Sequence, residues 1–335
     1  MMRRSLVILA VVAGALALLA LFVVLRQRAA TPGKQFQVQK TGRIRRIVLR
    51  RDTATVVLRR RGDTWTVNGR WQVRPRAIKV LLKILREIEV KSPVSDELAA
   101  RVLNDTLVRP VSVTVRGRLL PIRTFVVVRD TLLPGNNMMR LKGKKKWFIT
   151  WFPGEDVDPA ELFVTDPWYW RDATLFRYLP GEVWDVRVHY PGRQEGYHVT
   201  LDTVSGCIRF VPEDTAWMQE PVDTEKVRRY LTYFQHLECD EYVRHLAADP
   251  ADTLLRTPPL YELSLHARGG EHFAMKVYPL RSDDPVKKRI VTDVDVARAW
   301  VDPPGEWVLI RYFRIDPLFL KAPEFVVREP AVPSR

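Results

Sequence analysis

Six histidines, His189, His198, His236, His245, His266 and His272, and two cysteines, Cys207 and Cys239, are the residues of this chain best suited to metal or nucleophilic chemistry. A metal site needs three or four such ligands converging. Neither an HExxH nor a CxxC spacing occurs, so the histidines are read as residues of sheet surfaces and edges. No serine stands in a G-x-S-x-G elbow. Cys207 and His198 invite a nucleophile and base, but Ile208 and Phe210 alternate along the same segment as in a strand, and a structural thiol is expected. Cys207 and Cys239 are the candidate disulfide, one on an apolar strand and the other just past a helix that should cover that strand's sheet. Pairing in an oxidising compartment and two separate buried thiols both remain open. No nucleophile, base and orienting group can be assembled by role, so the chain is expected to be no enzyme and to need no cofactor or metal.

Positive charge is the more conspicuous chemistry. Residues 1–180 carry 34 Lys/Arg against 14 Asp/Glu, while residues 181–335 carry 20 against 25. Between Lys40 and Arg61 there are nine Lys/Arg and one Asp, and Lys142 to Lys146 adds a second cluster. In a strand Arg43 and Arg45, with Arg59 and Arg61, can share one face. Arg43, Arg45, Arg50, Arg51, Lys144 and Lys145 are the candidate contacts to anionic headgroups or an acidic partner. Aromatic residues concentrate from Trp147 to Phe152 and at Trp168-Tyr169-Trp170. Trp168 and Trp170 are read as filling the core and a domain joint, in preference to a glycan platform.

These residues must be positioned by regular elements. Leu6 to Leu25 is an unbroken apolar run of 20 residues flanked by arginines. As a helix it spans roughly 30 Å, a membrane's hydrocarbon thickness. It predicts an uncleaved anchor, with the body outside a bacterial inner membrane and the membrane itself as a partner. Downstream, Ile78, Leu81, Leu82, Leu85 and Ile88 form a helical stripe behind Pro75, and Val227, Tyr230, Leu231, Phe234 and Leu237 form another behind Asp223.

The two halves repeat one order of signals. Segments at 44–50, 55–60 and 64–67 precede the first helix, and segments at 183–189, 197–201 and 207–211 precede the second. Asp105-Thr106-Leu107-Val108-Arg109-Pro110 has a counterpart in Asp252-Thr253-Leu254-Leu255-Arg256-Thr257-Pro258. Each half ends on an aromatic strand before an Asp-Pro pair, Asp158-Pro159 and Asp316-Pro317. Two tandem homologous α+β units are expected near 36–178 and 182–325, each an antiparallel sheet with a packed helix, behind an anchor at 1–30 and before a tail at 326–335. The absence of a glycine-rich phosphate loop argues against a doubly wound parallel sheet.

An ordered series of short motifs resembles a known family. It runs through Ile44 to Leu49, Val56-Val57-Leu58, Trp65-Thr66-Val67-Asn68, Pro75 with its helix, Ser92-Pro93-Val94, Asn136 to Gly143 and Asp166 to Asp172. Together these resemble the domain-of-unknown-function 4340 family of bacterial envelope proteins, in its Bacteroidetes form. The resemblance implies an accessory or scaffold subunit, encoded beside gliding-type ABC-2 transporters, with other envelope proteins as partners and no catalytic residues to carry over. The expectation is thus a non-enzymatic, membrane-tethered scaffold that binds no nucleic acid. An extracytoplasmic glycan- or substrate-binding module is the alternative.

Overall fold

The computed structural model describes residues 14, 33–129, 137–179, 181–202, 204–244, 254–284 and 289–327, and its chain divides into two units, Met1–Asp172 and Ala173–Arg335. In the first unit, residues alternate buried and outward along β1 (Arg46–Arg51) and β2 (Ala54–Arg61). Ile47, Leu49, Val56 and Leu58 therefore enter the core while arginines and threonines face out. Next come β3 (Thr64–Val67), β4 (Trp71–Gln72) and the helix α1 (Pro75–Glu87). β5 (Glu89–Pro93) and α2 (Asp96–Asn104) lead to β6 (Val111–Arg116), β7 (Pro121–Arg129), β8 (Asn137–Leu141) and β9 (Phe148–Trp151). The nine strands form one sheet in the order β4-β3-β2-β1-β6-β7-β8-β9-β5, antiparallel at every pairing.

Both faces of this sheet are used, but not over its whole width. Ile78, Leu81, Ile84 and Leu85 of α1 join Ile47, Leu49, Val113, Val127 and Met139 in the main core on one face. Ala99 and Val102 of α2 pack with Val128 and Met138, whose side chains leave the opposite face. The second face is thus covered at β7 and β8. Over β1, β2 and β6 it carries Arg46, Arg50, Thr55, Arg59, Ser112, Thr114 and Arg116, half-buried or exposed.

The first unit closes with the short helix α3 (Pro167–Trp170). In the second unit, β10 (Thr174–Arg177) pairs with β14 (His236–Glu238). β11 (Val183–His189), β12 (Tyr197–Leu201) and β13 (Ile208–Pro212) precede the helix α4 (Thr224–Leu231). β15 (Glu241–Tyr242), β16 (Tyr261–Ala267), β17 (His272–Asp284), β18 (Arg289–Asp302) and β19 (Glu306–Arg311) follow, before the helical turn α5 (Tyr312–Ile315). The sheet order is β13-β12-β11-β16-β17-β18-β19-β15. With β4 set aside, each strand of the first sheet has a counterpart at the same place in the second, including β5 and β15, which both return to the far edge. The fold is α+β with two sheet-rich regions.

The expected membrane anchor is corrected. Among the described residues no helix is long and apolar enough to cross a membrane. The longest α-helix there, α1, has 13 residues, about 20 Å at 1.5 Å per residue, and is amphipathic because it covers a sheet. Apart from Gly14, the Leu6 to Leu25 run lies outside the described residues. The transmembrane element of the fold, the membrane as a partner, the single-pass inner-membrane placement and the membrane-tethered scaffold role are not carried further.

Candidate functional site: an arginine cleft

The exposed end of the β1, β2 and β6 face carries a concentration of arginines. Register places Arg46 of β1 directly opposite Arg59 of β2 on one side and Arg116 of β6 on the other. Adjacent strands lie about 4.8 Å apart, so three guanidinium stems rise in one row. The backbone of Arg45 extends the pairing by one residue. Its N–H donates to Arg116 O and its carbonyl accepts from Arg60 N–H, both at 2.9 Å. Beyond Arg116 the chain turns through Gly117 and Arg118, closed by Gly117 N–H donating to Leu120 O at 3.0 Å. Arg45, Arg46, Arg59, Arg60, Arg116 and Arg118, with Gly117, line a cleft of about 600 Å³.

Arg60 is the fixed member. The turn after β2 needs a left-handed residue, which Gly62 supplies at φ 58. Its carbonyl accepts from Arg60 Nε at 3.0 Å, Gly42 O accepts from Arg60 Nη1 at 3.3 Å, and Asp63 Oδ1 lies 3.5 Å from Arg60 Nη2. The other five arginines form no ion pair among the described residues, and Arg46 Nε is buried without a hydrogen-bond partner there. Like charges directly opposite on neighbouring strands cost roughly 0.2–1 kcal/mol each. The cleft is lined by positively charged guanidinium groups. Its forked donors match carboxylate, sulfate or phosphate oxygens.

The structure separates the basic residues singled out from the sequence. Arg45 lines the cleft, and Arg43 stands exposed in the helical turn Thr41–Arg43 just before β1. Arg50 and Arg51 are exposed at the other end of β1, roughly 13 Å from Arg46 or more at about 3.3 Å per residue. Lys144 and Lys145 are exposed in the connection from β8 to β9. None of these last five is in the cleft lining. Sequence reasoning missed Arg46, Arg116, Arg118 and Arg60. The signal for the first two was period two: buried Ile47 and Leu49 force Arg46 outward, and buried Val113 and Val115 do the same for Arg116.

Trp170 is 1% exposed in the main core of the first unit, its Nε1–H donating to Val164 O at 2.8 Å. Trp168 lies 4.7 Å from Trp71, with the Arg171 guanidinium over both rings. Cys207 is exposed and Cys239 buried, and the two are not bonded to each other.

The outward row of the second unit differs in kind. Arg187 of β11 faces His198 and Ser264, while His198 Nε2 lies 2.7 Å from Asp185 Oδ2 and His189 Nδ1 lies 2.8 Å from Glu213 Oε1. His266 and His272 are cross-strand neighbours with rings 4.9 Å apart, and His245 lies outside the described residues. Among the described residues no group of three His, Cys, Asp or Glu side chains could hold a metal ion. No protein-family model matches the chain, and no curated protein matches it either.

Proposed function

We propose that this chain is a binding module that takes up a multiply charged, acidic substrate in the arginine cleft and performs no chemistry on it. The observation that carries this reading is the row of Arg59, Arg46 and Arg116, unpaired within the described residues and set side by side on rigid strands. A fold gains nothing from such a row, because the charges repel and Arg46 Nε is left unsatisfied. A bound polyanion reverses both costs. It supplies charge-assisted hydrogen bonds and neutralises the repulsion at once. Strands, unlike loops, hold these stems close to their bound arrangement, so little ordering is needed on binding.

Equilibrium titration of the full chain with inorganic tripolyphosphate tests this. Saturable binding is expected, with an affinity that falls steeply as salt rises and surface charges are screened. Binding that does not saturate, or that ignores salt, contradicts the reading.

A further inference from the structure

A second hollow meets the cleft at Arg60, at the end of the sheet, and opens on the α1-covered face, whereas Arg46, Arg59 and Arg116 rise from the other face. It lies between the β2–β3 hairpin and the start of α1, has a volume of about 290 Å³, and is lined by Arg60, Asp63, Thr64, Trp65, Gln72 and Lys79 over an apolar floor. Arg60 belongs to both linings. Because Gly62 O, Gly42 O and Asp63 hold it, the meeting point is preformed.

The chemistry of the two hollows differs. The cleft offers donors and positive charge. The groove offers a hydroxyl, an amide, a carboxylate and one ammonium group at short range. Such a set of mixed donors and acceptors suits groups that both donate and accept, such as sugar hydroxyls and acetamido groups. Phosphate oxygens only accept, and Asp63 at the groove disfavours a continuing run of negative charge. Trp65 is 6% exposed, which leaves no open ring for the base stacking that single-stranded nucleic acid uses.

We infer that the ligand is an acidic oligosaccharide lying across Arg60 at the end of the sheet, its charged sugars in the cleft and a neutral, hydroxyl-rich sugar in the groove. This inference rests on the polyanion reading of the cleft and adds the class of substrate.

Calorimetric titration of the full chain with three probes of matched charge tests it. They are an oligosaccharide alternating uronic acid with N-acetylhexosamine, inorganic polyphosphate, and a single-stranded oligonucleotide. The same titrations are made on Gln72→Ala, an exposed, neutral position whose loss leaves the electrostatics unchanged. The oligosaccharide is expected to bind about tenfold tighter than the other two. Gln72→Ala should weaken it about three- to tenfold, the worth of a hydrogen bond, and leave polyphosphate binding as it was. Equal binding of all three probes, or a Gln72→Ala chain unaltered toward the saccharide, overturns the inference and leaves the polyanion cleft standing. Tightest binding of the oligonucleotide overturns it in favour of nucleic acid. Failure of every probe to bind overturns the cleft reading beneath it.

Discussion

Arg46 has Arg59 and Arg116 as its cross-strand neighbours, and its Nε is buried without a partner among the described residues. Removing this side chain should therefore affect stability and binding in opposite senses. Arg46→Ala is expected to leave the thermal midpoint unchanged or raised, since repulsion worth roughly 0.2–1 kcal/mol is relieved. The same change should weaken tripolyphosphate binding about tenfold or more, because a charge-assisted hydrogen bond is worth about 1.5–3 kcal/mol. Calorimetry on one preparation reads both quantities. A lowered midpoint with unchanged affinity would make Arg46 a structural residue.

Asp158 supplies a pH-dependent counterpart in the same unit. Burial raises its carboxyl above the ordinary carboxylate value, even though the side chain accepts from Ala160 N–H at 2.9 Å and Arg129 Nε lies 3.9 Å away. A raised native pKa means that the folded state holds this proton more tightly than the unfolded chain. The stabilisation is fully present below the unfolded value, about 3.9, and is lost as pH rises through the native one. Compared with Asp158→Asn, which keeps an acceptor for Ala160, the unaltered chain should lose relative stability as pH rises from acid to neutral. Urea denaturation across that range measures the difference, and a difference that does not change with pH contradicts the assignment.

At the level of elements, alternation and turn residues are enough to find most strands. The segments at 183–189, 197–201 and 64–67 read from the sequence coincide with β11, β12 and β3. The helical stripe behind Pro75 is α1. What the sequence did not disclose depends on partners far away in the chain. Arg46 meets Arg116 only because β1 pairs with β6 across a connection holding β2 to β5 and two helices. The cleft was accordingly legible as basic strands but not as a cleft. Nor was α2 evident, although Ser95 caps it by accepting from Leu98 N–H at 3.2 Å. Residues 283–289 look like a charged loop, yet Asp283, Asp284 and Arg289 extend the β17–β18 hairpin, where long-range pairing overrides local polarity. Aromatic density alone reads Trp170 as filling the core and the domain joint together, without dividing the two roles. Since it fills the core of the first unit, Trp170→Ala should cost about 3–5 kcal/mol, read from denaturant unfolding. A cost under 1 kcal/mol would remove it from that core.

Over the whole molecule, two sheets of one strand order carry different outward chemistry. The first shows Arg46, Arg59 and Arg116, which form no ion pair among the described residues, and the second pairs His198 with Asp185 and His189 with Glu213. The excess of Lys/Arg over Asp/Glu in residues 1–180, 34 against 14, is thus concentrated into a shaped site at one place and spread over exposed surface at others. Bulk charge and a built cleft make different demands on the same protein. Charge alone predicts that any two arginines lost from this face weaken polyanion binding alike. A cleft predicts that position decides.

Titration of tripolyphosphate into Arg46→Ala/Arg116→Ala and, in parallel, into Arg50→Ala/Arg51→Ala separates the two, because both double variants lose the same charge from the same unit. The first pair is expected to lose most of the binding and the second to keep it within about twofold, as screened surface charges contribute little at physiological salt. Equal losses in the two variants would contradict the arginine cleft as the site of ligand uptake.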